Sequence, residues 1–184
     1  TQMYAAIANG GTIWQPTIAK AIVNTEGKVI KNFEAKKLGD IGVDKKTLKF
    51  LQESLHEVTL TGTSAGLFSK FAIPTAGKTG TAQVFGRNAN GSAKADTSWY
   101  ASYAPYKNPK YAVVMMVSQG GFGASTSGAG VKKIYEALFG VQGGTVNPEL
   151  SLFPKGKPPV KLPKISPATK PAASILNPKG SGDK

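Results

Sequence analysis

The apolar positions of the first 144 residues change period several times along the chain. Residues 2–9 are alanine-rich and helical in character, and Gly10-Gly11 stops that helix. Residues 12–24 and 28–33 are rich in β-branched side chains, with Thr25-Glu26-Gly27 between them as a hairpin turn. Asp44 is placed to cap the next helix. There Leu48, Leu51, Leu55 and Val58 recur at helical spacing, so one stripe is expected to face a core. A Gly/Ser/Thr loop over 61–66 precedes three predicted strands, 75–85, 97–103 and 110–118. Pro105 and Pro109 mark a tight connection between the last two, which predicts antiparallel neighbours. A glycine-rich loop over 120–130 leads into a final helix. Val131, Ile134, Tyr135 and Leu138 share one of its faces, and Gly140 ends it. The order predicts an α/β body, an antiparallel sheet flanked by helices.

Composition changes near residue 144, which divides the chain into a body, 1–144, and a tail, 145–184. Eight of the 12 prolines lie in the tail, in runs such as Pro154-Lys155-Gly156-Lys157-Pro158-Pro159. With no helical or strand period, it reads as an extended, flexible segment, with Leu150, Leu152 and Phe153 able to pin its start to the body.

The 184 residues carry a net charge of +13, with seven lysines in the tail. That excess favours polyanions in general without choosing among them. The absence of cysteine removes thiolate metal sites and cysteine nucleophiles. A single histidine, His56, argues against a His-based zinc site or a Ser–His–Asp triad built within this chain. No apolar run approaches the ~18–20 residues that span a bilayer. The chain opens on Thr1 rather than Met, which is read as a processed product or a fragment.

The most informative segment is Ala76-Gly77-Lys78-Thr79-Gly80-Thr81-Ala82. One reading is a nucleotide-binding P-loop ending in Gly77-Lys78-Thr79. Against it, Ala72 stands at the position of the opening glycine and Pro74 stiffens the loop. The residues after the lysine favour a strand where a phosphate cradle needs a helix start. The other reading is Lys-Thr-Gly on a strand. Alternation sends Lys78 and Thr79 to opposite faces, so both can serve one ligand only if it lies along the sheet edge. Unpaired edge amides can then hold an extended peptide as an added strand, and Gly80 leaves its approach clear. Lys78 would bring fixed positive charge, Thr79 and Thr81 hydroxyls for a carboxylate, and the Thr81 N–H a donor for an oxyanion hole.

The surroundings occur in a set order: the first helix with Gly10-Gly11, then Gly62-Thr63-Ser64-Ala65, then Ala76 through Val84. Ser98-Trp99-Tyr100-Ala101-Ser102-Tyr103-Ala104-Pro105 and a strand with Gly120-Gly121 follow. Over residues 1–140 this resembles the carboxy-terminal half of the transpeptidase domain of class B penicillin-binding proteins. The Ala82-Gln83-Val84-Phe85-Gly86 run is most similar to the elongation (rod-shape) branch. The resemblance implies a penicillin-binding/β-lactamase-like fold and a serine D,D-transpeptidase that cross-links peptidoglycan stem peptides and is acylated by β-lactams. It implies catalytic roles for Lys78 and Thr81, substrate binding by Lys78, Thr79, Gly80, Thr81 and Gly121, and no metal or organic cofactor. It also implies an extracytoplasmic location on a bacterial membrane through an amino-terminal anchor, an elongation-type glycosyltransferase as partner, and no nucleic acid. A serine β-lactamase or D,D-carboxypeptidase shares Lys-Thr-Gly and stands as the alternative.

That chemistry also needs Ser-x-x-Lys, which sets nucleophile and activating lysine one helical turn apart, and Ser-x-Asn. No Ser-x-Asn occurs, and the sole Ser-x-x-Lys is Ser181-Gly182-Asp183-Lys184, on the wrong side of the motif. The nucleophile is therefore expected on a companion upstream half, and this chain alone is expected to be inactive. Elsewhere the plainer readings are favoured. Trp99 and Tyr100 read as core, His56 as a partly exposed surface residue, Arg87, Asn88 and Asn90 as a polar turn, and Lys107 and Lys110 as solvated flanks. Asp96 has no nearby acidic partner in sequence for glycoside chemistry.

Overall fold

A computed structural model describes residues 1–152. It runs α1 (Gln2–Ala8), β1 (Thr12–Trp14), β2 (Ala21–Val23), β3 (Val29–Asn32), β4 (Lys37–Asp40), α2 (Lys45–Leu60) and α3 (Ala65–Phe68). It continues with β5 (Ala76–Ala82), β6 (Thr97–Ala104) and β7 (Tyr111–Val117). A π-helical turn (Ala124–Gly128) feeds α4 (Ala129–Phe139), and a short hairpin, β8 (Val141–Gln142) and β9 (Thr145–Val146), precedes a 3-10 turn (Pro148–Leu150).

Two compact units are distinguished. The smaller one, over described residues 17–34, is the β2–β3 hairpin. Asn24 builds its turn: the Asn24 carboxamide oxygen accepts the N–H groups of Glu26 and Lys28 at 3.1 and 2.8 Å, and Gly27 adopts φ +85°. The continuous strand expected over 12–24 does not form. Pro16 has no N–H to give a ladder, and the chain leaves the strand after Trp14. Thr12–Trp14 pairs instead with Lys37–Asp40 in the larger unit. β4 was invisible to propensity because Gly39 and Asp40 are poor strand formers.

In the larger unit, α2 begins where Asp44 accepts the N–H groups of Lys46 and Thr47, both at 2.9 Å. Those bonds, the one from Thr47 foremost, hold the Asp44 carboxyl below the ordinary carboxylate range. The buried row of α2 is Leu48, Leu55 and Thr59. The row is rotated from the expected stripe, and Leu51 is 37% exposed. Gln52 completes the row by donating its side-chain amide to the Ile7 carbonyl at 2.6 Å, a position that apolar periodicity does not register.

The central sheet is antiparallel in the order β5-β6-β7. On one face Ala76 and Tyr103 pack with Ile7 of α1 and with Leu48 and Leu55 of α2. On the other, Tyr100 and Ala104 pack with Phe68 of α3 and with Val131 and Tyr135 of α4. Burial of each large side chain there contributes ~1.5–3 kcal/mol. Two buried hydroxyl pairs cross it, Ser102 with Tyr135 at 2.8 Å and Ser98 with Ser127 at 2.8 Å, while the buried Tyr103 hydroxyl and Thr75 Oγ1 have no hydrogen-bond partner among the described residues. Ile134, expected on the buried face of α4, is 39% exposed, and the face is carried by Val131 and Tyr135. Gly140, at φ +68°, ends the helix as expected. The compositional boundary at 144 falls in the turn of the β8–β9 hairpin. Just beyond it, Leu152 N–H donates to the Ala137 carbonyl at 3.0 Å and Ser151 Oγ to that of Leu138 at 2.6 Å. Phe153 and the remainder of the tail, with Ser181 and Lys184, lie outside the described residues.

Candidate active site

The Lys-Thr-Gly segment lies on β5, at the border of the central sheet. Every residue from Ala76 to Ala82 pairs with β6, from Ala76 opposite Tyr103 to Ala82 opposite Thr97. Among the described residues nothing pairs with the outer edge of β5. The start of the strand is anchored from α2. Thr59 Oγ1 donates to the Thr75 carbonyl at 2.8 Å, and His56 Nδ1 lies 2.6 Å from the same oxygen. A carbonyl can only accept, so that nitrogen carries the proton. The His56 ring also stacks on Tyr106 at 3.9 Å. His56 is half-buried, as the partly exposed reading expected, and through these contacts it also holds the strand in place.

The alternation along β5 sends Lys78 and Gly80 to the α2 side and Thr79 and Thr81 to the α3 side. Lys78 nevertheless reaches Thr79. Its ammonium folds over the strand to donate to the Thr79 carbonyl at 3.0 Å and to Thr79 Oγ1 at 3.2 Å. Charge and hydroxyl therefore meet at one point, as a ligand lying along the strand requires. Lys78 is exposed, and no acidic side chain among the described residues pairs with it. The site keeps an uncompensated positive charge.

Two loops wall the strand on the hydroxyl side. From the loop before α3, Thr63 Oγ1 lies 2.9 Å from Thr79 Oγ1. From the loop before the π-helical turn, the Gly123 N–H donates to Thr81 Oγ1 at 3.3 Å. That loop touches β5 because residue 123 is glycine: a Cβ there would lie 2.5 Å from the Gly80 carbonyl oxygen and 2.8 Å from that of Trp99. Gly121 lies two residues from this contact. It sits in a turn at φ +73°, its N–H donating to the Asp96 carbonyl at 2.8 Å. A Cβ on Gly80 would meet Trp99 Cβ at 3.2 Å, so the missing side chain serves the sheet as well as any ligand. Thr63, in the Gly62-Thr63-Ser64-Ala65 loop that carries the resemblance, and Gly123 were not named as site residues from sequence. The signal for Thr63 was the Thr61-Gly62-Thr63-Ser64 loop, whose contact with β5 depends on tertiary structure.

Tyr100, directly opposite Thr79, is fully buried, and burial pushes its phenol up to about 12. Trp99 departs from the core expectation. It is 41% exposed on the opposite face of β6. Arg87, Asn88 and Asn90 bond within their own turn, Arg87 to the Gly91 carbonyl at 2.7 Å and Asn88 to Ser92 Oγ at 3.0 Å. The P-loop reading is overturned, since Lys78 and Thr79 lie inside a strand that continues to Ala82 with no helix start after them. Among the described residues, no three His, Asp or Glu side chains are grouped to hold a metal ion, and no helix is long and apolar enough to cross a membrane.

Relatives were found by sequence and by fold. Peptidoglycan D,D-transpeptidase MrdA of Haemophilus influenzae is 31% identical over 142 residues, which covers 71% of this chain and 21% of the relative. A solved D,D-transpeptidase domain of a peptidoglycan glycosyltransferase from Eggerthella lenta superposes with a TM-score of 0.62 at 28% identity, covering 77% of this chain and 31% of that one. A Pseudomonas aeruginosa PBP2 in complex with WCK 5153 superposes with a TM-score of 0.61 at 28% identity, covering 80% and 30%. The chain thus spans a minor part of each relative's length. Residues 1–139 match the family described as Penicillin binding protein transpeptidase domain, and the chain belongs to that family.

Proposed function

We propose that residues 1–144 supply one wall of the active site of a serine-type D,D-transpeptidase, with the nucleophilic serine and its activating lysine on upstream sequence. The observation that carries this reading is the border of β5, unpaired among the described residues, with Lys78, Thr79 and Thr81 along it. A peptidoglycan stem peptide adds to that border as a strand. Its terminal carboxylate is met by the Lys78 charge and the Thr79 and Thr81 hydroxyls. The serine oxygen attacks the carbonyl of the D-Ala–D-Ala bond, and the Thr81 N–H donates to the oxyanion, an interaction worth ~3 kcal/mol in related chemistry. The C–N bond breaks and D-alanine leaves with a proton. An amine of a second stem peptide then takes the acyl group and returns the proton to the serine. The family's penicillin-binding character supports acylation of the same serine by β-lactams. Gly121 serves this site as the turn that delivers Gly123 to the strand. The likeness of Ala82-Gln83-Val84-Phe85-Gly86 to the elongation branch supports an elongation-type assembly with a glycosyltransferase on the outer face of the cell membrane, held there by an amino-terminal anchor.

Fluorescent penicillin labelling of the full-length protein tests this reading. The label is expected on a serine outside these 184 residues, with labelling strongly slowed by Lys78→Ala. Labelling of that variant at the wild-type rate would remove Lys78 from the site.

A further inference from the structure

We propose that Thr63 is a positioning residue that makes the Thr79 hydroxyl an outward donor, so that the β5 border selects a ligand ending in a carboxylate; this rests on reading β5 as the peptide-binding edge. A threonine hydroxyl has one proton and two lone pairs. The Lys78 ammonium can only donate, and at 3.2 Å it occupies one lone pair of Thr79 Oγ1. Thr63 Oγ1 lies 2.9 Å from the same oxygen. When Thr63 donates, both lone pairs are filled and the one Thr79 proton is left for a ligand. A carboxylate, which only accepts, matches that proton and the adjacent ammonium together. Thr81, two residues along on the same face, is set in the same way. Its oxygen accepts the Gly123 N–H at 3.3 Å, and its proton remains available.

The position of Thr63 is fixed from both sides. At Gly62 a Cβ would lie 2.7 Å from Val58 Cα, so the chain can turn against the end of α2 only with glycine there. On the other side, buried Ser64 donates its hydroxyl to the Val58 carbonyl at 3.1 Å and accepts the Tyr100 hydroxyl at 3.1 Å. Tyr100 is the β6 residue paired with Thr79. The loop bearing Thr63 is thus stapled to the sheet at the register position of the hydroxyl it orients. Substitutions at Thr63 can move that hydroxyl's proton while the staples at Gly62 and Ser64 remain.

The test uses the full-length protein, with Thr63→Val, which keeps shape but loses the hydroxyl, and Thr63→Ser, which keeps it. Acylation is measured with a penicillin and with its carboxylate methyl ester, separating the dissociation constant of the encounter complex from the acylation step. For the free carboxylate, Thr63→Val is expected to weaken the encounter complex about tenfold, the scale of one lost hydrogen bond to a charged group. Thr63→Ser restores it, and the ester shows no further loss. Wild-type behaviour of Thr63→Val, or equal impairment of both variants with either probe, overturns the proposal while Lys78→Ala sensitivity leaves the underlying reading standing. A wild-type protein that takes no label overturns both.

Discussion

Gly123→Ala probes the wall of the site at the point where backbone meets backbone. The new Cβ would lie 2.5 Å from the Gly80 carbonyl oxygen, 2.8 Å from that of Trp99 and 3.0 Å from the Gly80 nitrogen. None of these atoms is the free end of a side chain, so the loop has to move away from β5. Overpacking of this kind costs ~1–3 kcal/mol of stability. Withdrawal of the loop also breaks the bond from the Gly123 N–H to Thr81 Oγ1, which spans 3.3 Å. A misplacement of ~1 Å in a reacting constellation is enough to lower rate ~100-fold. Gly27→Ala, at φ +85° in the β2–β3 hairpin, is the control. Its Cβ meets nothing within 4 Å. Its cost is the positive backbone angle, ~1–2 kcal/mol, without a collision against the strand. Penicillin acylation rates of the two full-length variants, read beside their thermal midpoints, separate the cases. Gly123→Ala is expected to lose acylation far beyond its loss of stability, and Gly27→Ala to keep it. Wild-type acylation by Gly123→Ala would show that this loop does not shape the site.

Acid unfolding and the phase of α2 supply two further tests. The Asp44 carboxyl is held low chiefly by its bond from Thr47, and that of Asp40 by the Lys37 ammonium at 2.7 Å. The unfolded chain therefore binds more protons as pH falls, so this contribution is complete above the ordinary aspartate value of ~3.9 and is lost as pH drops through the folded values. Asp44→Asn is expected to flatten that part of the stability-versus-pH curve, and an unchanged slope would contradict the cap. Leu55→Ala should cost ~2–5 kcal/mol in denaturant unfolding. Leu51→Ala should cost much less, because Leu51 is 37% exposed; equal costs would restore the stripe drawn from spacing alone.

The parts of this fold that local chemistry determines were legible in the sequence. The Asp44 cap, the Asn24 to Lys28 turn, the end of α4 at Gly140 and the three-strand meander follow from residue type and period. What escaped depends on partners distant in the chain. β4 forms because Thr12–Trp14 needs a ladder partner after Pro16 ends the strand. Gln52 enters the buried row of α2 because the Ile7 carbonyl lies there to receive it. The site divides in the same way. Alternation along a strand already required a ligand at the border if Lys78 and Thr79 were to act together. Thr63 and Gly123 reach that border only through the packing of α3 and of the π-helical turn.

The most direct measurement is a structure of the full-length protein acylated by a penicillin. The account predicts the antibiotic lying along the outer edge of β5. Its carboxylate should meet the Thr79 and Thr81 hydroxyls beside the Lys78 ammonium, and its acyl oxygen the Thr81 N–H. A drug bound away from residues 78–81, or a further strand of the protein closing that edge, would contradict it.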